Sequence, residues 1–325
     1  MKQQLLLLLL LLAGCQASAP RTGTIYVSDE TANVIHVINA GSLAEKARIA
    51  VGHRPRGMAV SPDHRTLYVA LGNDNRIAAV DLAQGKVVGL LPCGPDPETI
   101  AISPDGHTLY AANENDNLLS MVDIASRRVT RGVPVGGEPE GTAVSPDGKL
   151  VIQASETASM AHVIDAASGK VIDNLMVDTR PRFIAFTPDG SRFWVSSEVR
   201  ATVTVFDTAT RRRIGTIDFT QLLPGDRPDG QNLQAVGIVF TRDGKRAFVA
   251  LGRGKLVAEI DPATLKLVRT FPVGWRAWHI ALSPDERYLY TANGLSSDVT
   301  AIDLDHDRVI DRVHVDGRPW GIVVL

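Results

Sequence analysis

Gly57-Met58-Ala59-Val60-Ser61-Pro62-Asp63-His64-Arg65-Thr66-Leu67-Tyr68-Val69-Ala70 places a short β-rich run, a tight turn and a second β-rich run in succession. Ser opening the turn, Pro fixing φ at its second position and, in the sister copies, Gly at its fourth suit a type I turn. Those copies are Ser103-Pro104-Asp105-Gly106, Ser145-Pro146-Asp147-Gly148, Thr187-Pro188-Asp189-Gly190, Thr241-Arg242-Asp243-Gly244 and Ser283-Pro284-Asp285. They recur every 42 residues, with a single step of 54. Asn39, Asp81, Asp123, Asp165, Asp207, Asp261 and Asp303 keep the same beat and the same long step. Two turn signatures in one register mean tandem copies of one unit with one insertion of 12 residues. A period near 42 made of short strand-like runs predicts a β-propeller with one four-stranded blade per repeat.

The unit continues outward through Ile77-Ala78-Ala79-Val80-Asp81, a turn, and Lys86-Val87-Val88-Gly89. No run has the length or the 3.6 period of a helix. At the ends of the chain, Thr24–Val27, Val34–Ile38 and Lys46–Val51 match the second, third and fourth strands of a unit. Trp320–Val324 supplies the missing innermost strand. The expectation is an all-β, seven-bladed propeller of antiparallel blades over residues 24–325, its ring closed by both termini so that no sheet edge of an open array is left. The insertion, Phe219 to Gly230, falls between blades five and six. Its Pro- and Gly-rich composition reads as a loop near the channel mouth, either a flap or partner contact or a tolerated surface excursion.

The first residues read as an address. Lys2 gives the positive start and Leu5 to Leu12 an apolar stretch too short for a permanent span. Leu12-Ala13-Gly14-Cys15 resembles the lipobox of bacterial lipoproteins, which implies removal of residues 1–14, an acylated Cys15 and a linker over 15–23. The expected location is the cell envelope, facing the periplasm and anchored to a membrane through Cys15. Gln16 rather than Asp after the cysteine favours the outer membrane. Cys93 then stands alone, beside Pro92 and Gly94, and reads as a small buried filler. The formal charge of −2 gives no electrostatic case for nucleic acid.

Positions common to all repeats build the blade, so positions that differ between blades are free to carry function. The sharpest variation lies in the loop that leads into each innermost strand. One position there reads Arg54, Asp96, Glu138, Arg180, Gln234, Arg276, Arg318; two residues on it reads Arg56, Glu98, Glu140, Arg182, Val236, Trp278, Trp320. His279 adjoins Trp278, and Glu30, Glu114, Glu156 and Glu198 come from loops on the same face. Guanidinium forks, carboxylates and indoles at one opening suit a polar ligand with an apolar body, or a docking partner. The same residues also suit a self-satisfying salt-bridge lattice that stiffens the channel. The four carboxylates Asp96, Glu98, Glu138 and Glu140 are hard oxygen ligands, yet no loop has the compact spacing of a calcium motif and no metal ligand is assigned. There is no G-x-S-x-G, H-E-x-x-H, C-x-x-C-H or phosphate-cradling loop, and no catalytic residue is assigned.

Tyr68-Val69-Ala70, Thr291-Ala292-Asn293 and the S-P-D-G turns resemble the YVTN β-propeller repeat proteins of bacterial envelopes. Gly94-Pro95-Asp96-Pro97-Glu98, Glu138-Pro139-Glu140-Gly141, Arg180-Pro181-Arg182-Phe183 and Trp278-His279 are similar to the subgroup associated with pyrroloquinoline-quinone-dependent catabolism of alcohols. That resemblance implies a non-catalytic binding or scaffold protein, with a quinoprotein alcohol dehydrogenase or ABC transport components as partners. No cofactor is required; pyrroloquinoline quinone or a divalent or lanthanide cation is what the resemblance and the mouth would accommodate. The alternative class is a lactonase-like, metal-assisted hydrolase in the channel. A third is an adhesion or single-stranded-DNA-binding surface, which the acidic sector opposes.

Overall fold

The computed structural model describes residues 21–225 and 232–325. The leader, Cys15 and the Asp226–Gly230 part of the insertion lie outside the described residues. Seven four-stranded antiparallel sheets form, each from sequence-adjacent strands except one. That sheet joins Pro319–Val324 to Thr24–Asp29, Val34–Asn39 and Glu45–Ala50, as the ends of the sequence predict. Innermost strands Pro55–Val60, Pro97–Ile102, Pro139–Val144, Pro181–Phe186, Ile238–Phe240, Ala277–Leu282 and Pro319–Val324 pack side by side around a central channel.

Burial explains why runs such as Thr66–Leu71 lack polar alternation. The second and third strands of each blade are covered on both faces by neighbouring blades, whereas outer strands such as Lys170–Met176 alternate. One inter-blade layer holds Tyr26, Ile35 and Ile49 of the first blade against Leu67, Val69 and Val80 of the second. Each such aliphatic side chain contributes about 1.5–3 kcal/mol on full burial. Cys93 is half-buried against the layer between the second and third blades, and burial pushes its thiol up to about 12.

In the turns, Ser103 Oγ donates to Asp105 Oδ1 at 2.5 Å, and the N–H groups of His107 and Thr108 bond Asp105 Oδ1 and Ser103 Oγ at 3.0 and 2.9 Å. The fourth residue is left-handed: Gly106, Gly148, Gly190 and Gly244 have φ between 67° and 75°. His64 and Glu286 adopt the same conformation at 58°.

The insertion departs from its reading as a surface loop. Asp218 caps a single helical turn, Phe219–Leu222, by accepting N–H bonds from Thr220 and Gln221. Phe219 is fully buried among Trp194, Leu233 and Ala235. Its first residue is therefore core, and a polar flanking composition concealed a single apolar anchor.

Ring closure depends on more than the ladder. Asp29 Oδ1 accepts the backbone N–H groups of Thr31, Ala32 and Arg318 at 3.0, 2.8 and 2.9 Å, tying the last strand to the first. Fully buried His36 lies between Asp29 Oδ2 at 3.2 Å and Glu45 Oε1 at 2.6 Å. Burial works against the imidazolium, but hydrogen bonds and charge from Asp29 and Glu45 outweigh it and raise His36 above its ordinary value. Burial likewise pushes both carboxylates up, and their partners more than reverse it.

Two outcomes follow. Replacing His64 by Gly relieves a left-handed side chain and raises stability by up to about 1 kcal/mol, read as a higher denaturant midpoint with unchanged m. His36→Gln lowers stability by about 3 kcal/mol at pH 6 and by much less at pH 9, measured by denaturation at both. The sign follows from a raised histidine: its contribution is complete below its ordinary 6.5 and is lost as pH rises through the raised value. Asp29 and Glu45 are lowered, so their contribution is lost as pH falls below their ordinary 3.8 and 4.5.

Candidate functional site

Five of the seven innermost strands begin with a conformational step that aims their side chains. Arg54, Asp96, Glu138, Arg180 and Arg276 all sit in the left-handed region, with φ from 52° to 65°. In four of these blades a proline follows, and pairing with the second strand then slips: Pro55 faces Leu71, but the next partners are Met58 and Val69. The same slip occurs after Pro97, Pro139, Pro181 and Ala277. Such a bulge re-aims the unpaired residue. Here it turns Arg56, Glu98, Glu140, Arg182 and Trp278 towards one another at the channel. Close backbone approach follows as well; a Cβ on Gly57 would stand 2.7 Å from Glu98 O, and one on Gly141 would stand 2.6 Å from Arg182 O.

The charges form two linked clusters. In the first, Glu98 Oε1 accepts Arg54 Nη2 at 2.9 Å and Arg56 Nη2 at 2.8 Å. Arg54 also bonds Asp96, and Arg56 Nη1 meets Glu30 Oε2 at 3.1 Å. In the second, Arg182 pairs with Glu140 Oε1 at 2.9 Å, with Glu156, and with Glu198 Oε2 at 3.4 Å. Arg180 Nε reaches Glu156 Oε2 at 2.6 Å, and Arg276 Nη1 reaches Glu198 Oε1 at 2.7 Å. The indoles lie under the guanidinium groups. Arg56 sits 4.9 Å over Trp320, and Arg182 and Arg276 sit 5.0 and 3.8 Å over Trp278.

Two residues of the aligned ring stand apart. The side chains of Glu138 and Arg318 are exposed, and neither makes an ion pair among the described residues. Arg318 is engaged through its backbone, the N–H donating to Asp29 Oδ1 at 2.9 Å and the carbonyl accepting the Glu30 N–H at 3.1 Å. The expected quartet of carboxylates also divides, because Glu140 belongs to Arg182. The acidic group that does come together is Asp96, Glu98 and Glu114, with one carboxylate oxygen from each within 4.8 Å of the others. Register aligned the lead-in loops, but it could not say that Glu114, on a different loop, would meet them.

Environment separates the carboxyl groups. Burial pushes Glu98 up, but Arg56 and Arg54 outweigh it and hold it below the ordinary range. Glu198 is likewise pushed up by burial and held down by Arg182 and Arg276. Burial drives Glu140 up to about 8, since Arg182 beside it is offset by the charge of Glu98. Burial and Glu98 together lift half-buried Glu114 to about 7. His279 sinks to about 3 through burial and the charges of Arg182 and Arg56, so the ring is neutral. It stands edge-on to Trp320 at 4.2 Å and lies 5.0 Å from Phe183. Below it a cavity of about 120 Å³ is lined by Met58, Thr99, Thr142, Phe183 and His279. Of these, Met58, Thr99, Thr142 and Phe183 carry no charge that varies between repeats, so the comparison that found the arginines passed over them.

Residues 174–312, under half of the chain, match the model of the lactonase family of seven-bladed β-propellers. No curated protein sequence matches. Among solved structures, the hydrazine synthase of Kuenenia stuttgartiensis is similar at 22% identity and TM-score 0.76, over 90% of this chain and 98% of that one. A protein of unknown function from Desulfotomaculum acetoxidans aligns at 17% identity and TM-score 0.79, over 93% and 99%. A putative 6-phosphogluconolactonase from Bacteroides fragilis aligns at 16% identity and TM-score 0.77, over 95% and 99%. At these identities the structural likeness establishes the fold alone. The lactonase family match overturns the expectation of a non-catalytic scaffold serving quinoprotein alcohol oxidation. The blade-specific segments that suggested it lie mainly in the lead-in loops, where most blades share a left-handed residue and a bulge whether or not a proline follows.

Proposed function

We propose that the protein is a lactonase-like hydrolase that opens the ester ring of a lactone at the channel mouth. The observation that carries this reading is Glu140, a buried carboxyl that keeps its proton at neutral pH beside guanidinium groups held fixed by other carboxylates. Two environments that push carboxyl groups apart in acidity are what acid–base chemistry at pH 7 needs. The lactonase family match and the likeness to a putative 6-phosphogluconolactonase support it. The YVTN-type repeat pattern is compatible, because that pattern builds the blade and leaves the mouth free to vary.

In this reading Arg56 and Arg182 polarise the lactone carbonyl and stabilise the tetrahedral oxyanion. Half-buried Glu114, which solvent can reach, takes a proton from the attacking water as the water oxygen bonds the carbonyl carbon. When the ring C–O bond breaks, Glu140 gives its proton to the departing alkoxide. The product is the hydroxy acid; Glu114 returns its proton to solvent and Glu140 regains one. Trp278 and Trp320 supply apolar walls that exclude water from the arginines and strengthen their charge.

The test is hydrolysis of a panel of five- and six-membered lactones followed by pH-stat. Glu140→Gln is expected to lower kcat about 10²–10⁴-fold with little change in KM. In the unaltered protein kcat falls as pH rises through about 8, where Glu140 loses its proton. Absence of turnover on every lactone would sink the reading. The lipobox resemblance supports an envelope enzyme anchored through Cys15, and mass spectrometry of the purified protein should then find an acylated N-terminal cysteine.

A further inference from the structure

We infer that the cavity beneath the charged ring is a substituent subsite, which takes an uncharged, apolar side chain of about four or five carbons on the lactone and turns away a lactone that carries a phosphate. Only the identity of the ring as a lactone rests on the hydrolase reading; the cavity itself does not.

An odd number of blades creates the gap. At one position of the innermost strands, Gly57, Gly141, Gly237 and Gly321 alternate with Thr99, Phe183 and His279. Each glycine lets its strand press on the backbone of the next blade; a Cβ on Gly237 would stand 2.7 Å from Trp278 O, and one on Gly321 would stand 2.8 Å from Arg56 O. The larger side chains take up the space between. Phe183 and His279 meet at 5.0 Å across the blade of Gly237, and Thr99 Oγ1 donates to Glu140 O. Seven positions cannot alternate all the way round. Gly321 and Gly57 fall on neighbouring blades with no side chain between them, and the cavity of about 120 Å³ is lined by both.

The gap lies one residue below the charges, since Gly57 follows Arg56, Thr99 follows Glu98 and Gly321 follows Trp320. A ring held by Arg56 and Arg182 therefore has it within reach of a short side chain. Met58, Ile100, Phe183, Ile280 and Ile322 supply apolar wall. The hydroxyls there are already engaged, Thr99 with Glu140 O and Thr142 with Gln153 Oε1. His279 is neutral and stands edge-on to Trp320. An aliphatic and aromatic cavity of about 150 Å³ takes the six carbons of benzene, so this one takes about four or five. Unbranched Met58 adapts to the shape of the occupant.

Charge decides what the substituent cannot be. Among the described residues that line the gap, none is Lys or Arg. The guanidinium groups above it are committed to carboxylates, Arg56 to Glu98 and Glu30 and Arg182 to Glu140. Their charges hold Glu98 and Glu198 ionised. A phosphate would give up its water here, meet no unshared cation and face two carboxylates. A carbonyl oxygen is neutral and carries no such penalty.

Calorimetric titration of the purified full chain with γ-lactams, whose ring keeps the carbonyl but resists opening, reads the subsite without turnover. From the unsubstituted γ-lactam to its octyl derivative, affinity is expected to rise about fourfold per carbon and to stop rising at about four or five carbons. Met58→Phe, which fills the gap, should abolish the gain. Phe183→Leu, which widens it, should move the maximum to a longer chain; circular dichroism checks that both variants fold. The hydroxymethyl γ-lactam should bind at least about tenfold more tightly than its phosphate ester. No saturable binding, affinity indifferent to chain length, a gain that continues unchanged to octyl, a maximum unmoved in both variants, or tighter binding of the phosphate ester would overturn the inference. Hydrolysis of the matching γ-lactones, followed in parallel, separates the two readings. Graded lactam binding with no lactone opened defeats the hydrolase and leaves the subsite standing, whereas turnover indifferent to chain length does the reverse.

Discussion

The left-handed residue, the proline and the bulge that begin an innermost strand are the constraint on which the rest of the molecule depends. A strand set in a four-stranded blade alternates its side chains between the two blade faces, and both faces here are filled by neighbouring blades. Nothing would reach the axis without an irregularity. The slip after Pro55, Pro97, Pro139 and Pro181 supplies it, and the same slip lets innermost strands approach until Gly57 and Gly141 touch the next backbone. Residues 42 apart along the chain thereby become neighbours, as in the pair Arg56 and Glu98.

Once charges are aimed into a narrow channel, desolvation sets their chemistry. A buried ion is tolerated only with excellent partners. Glu98 has two guanidinium groups and stays ionised; Glu140 has one, feels the charge of Glu98, and keeps its proton. The two residues occupy the same position in adjacent repeats. Their difference is not local to either strand but arises from which blade stands next to it, Arg54 and Arg56 on one side and Arg182 on the other. A repeat architecture makes such inequality inexpensive to evolve, since blade stability and mouth charge reside in different positions.

Sequence sufficed for the blade number, the closing strand and the turns because these follow from period and from residues with one dominant conformational use. Pro62, Gly106 and the aspartates each have such a use. The mouth was legible as a set of residues but not as a set of contacts. Glu138 and Arg318 align with Asp96 and Arg54, yet their side chains point to solvent; alignment fixes backbone position and says nothing of whether a neighbour offers a partner. Glu114 joined the acidic group from another loop, a convergence that needs the ring. Phe219 was hidden by the polar residues around it. Functional class was misjudged for a related reason. Segments such as Arg180-Pro181-Arg182 resembled one subgroup of propellers, but the left-handed residue and the bulge recur at Arg276-Ala277 without a proline, belong to the blade, and are therefore poor witnesses to substrate.

A purely stiffening lattice would look different from this mouth. Selection for rigidity alone favours carboxylates and guanidinium groups in matched numbers, with each lone pair met, because every unmatched charge in a desolvated channel costs stability. The second cluster approaches a match of charge around Glu198, which Arg182, Arg276 and Gln234 all contact and which is held below its ordinary range. The first does not. Burial and the charge of Glu98 lift Glu114 towards neutrality, and burial lifts Glu140 further than Arg182 and Arg56 bring it down. Both lifted carboxyls lie on adjoining blades, and in the hydrolase reading we propose they put the chemistry at the boundary between the acidic and basic sectors of the ring.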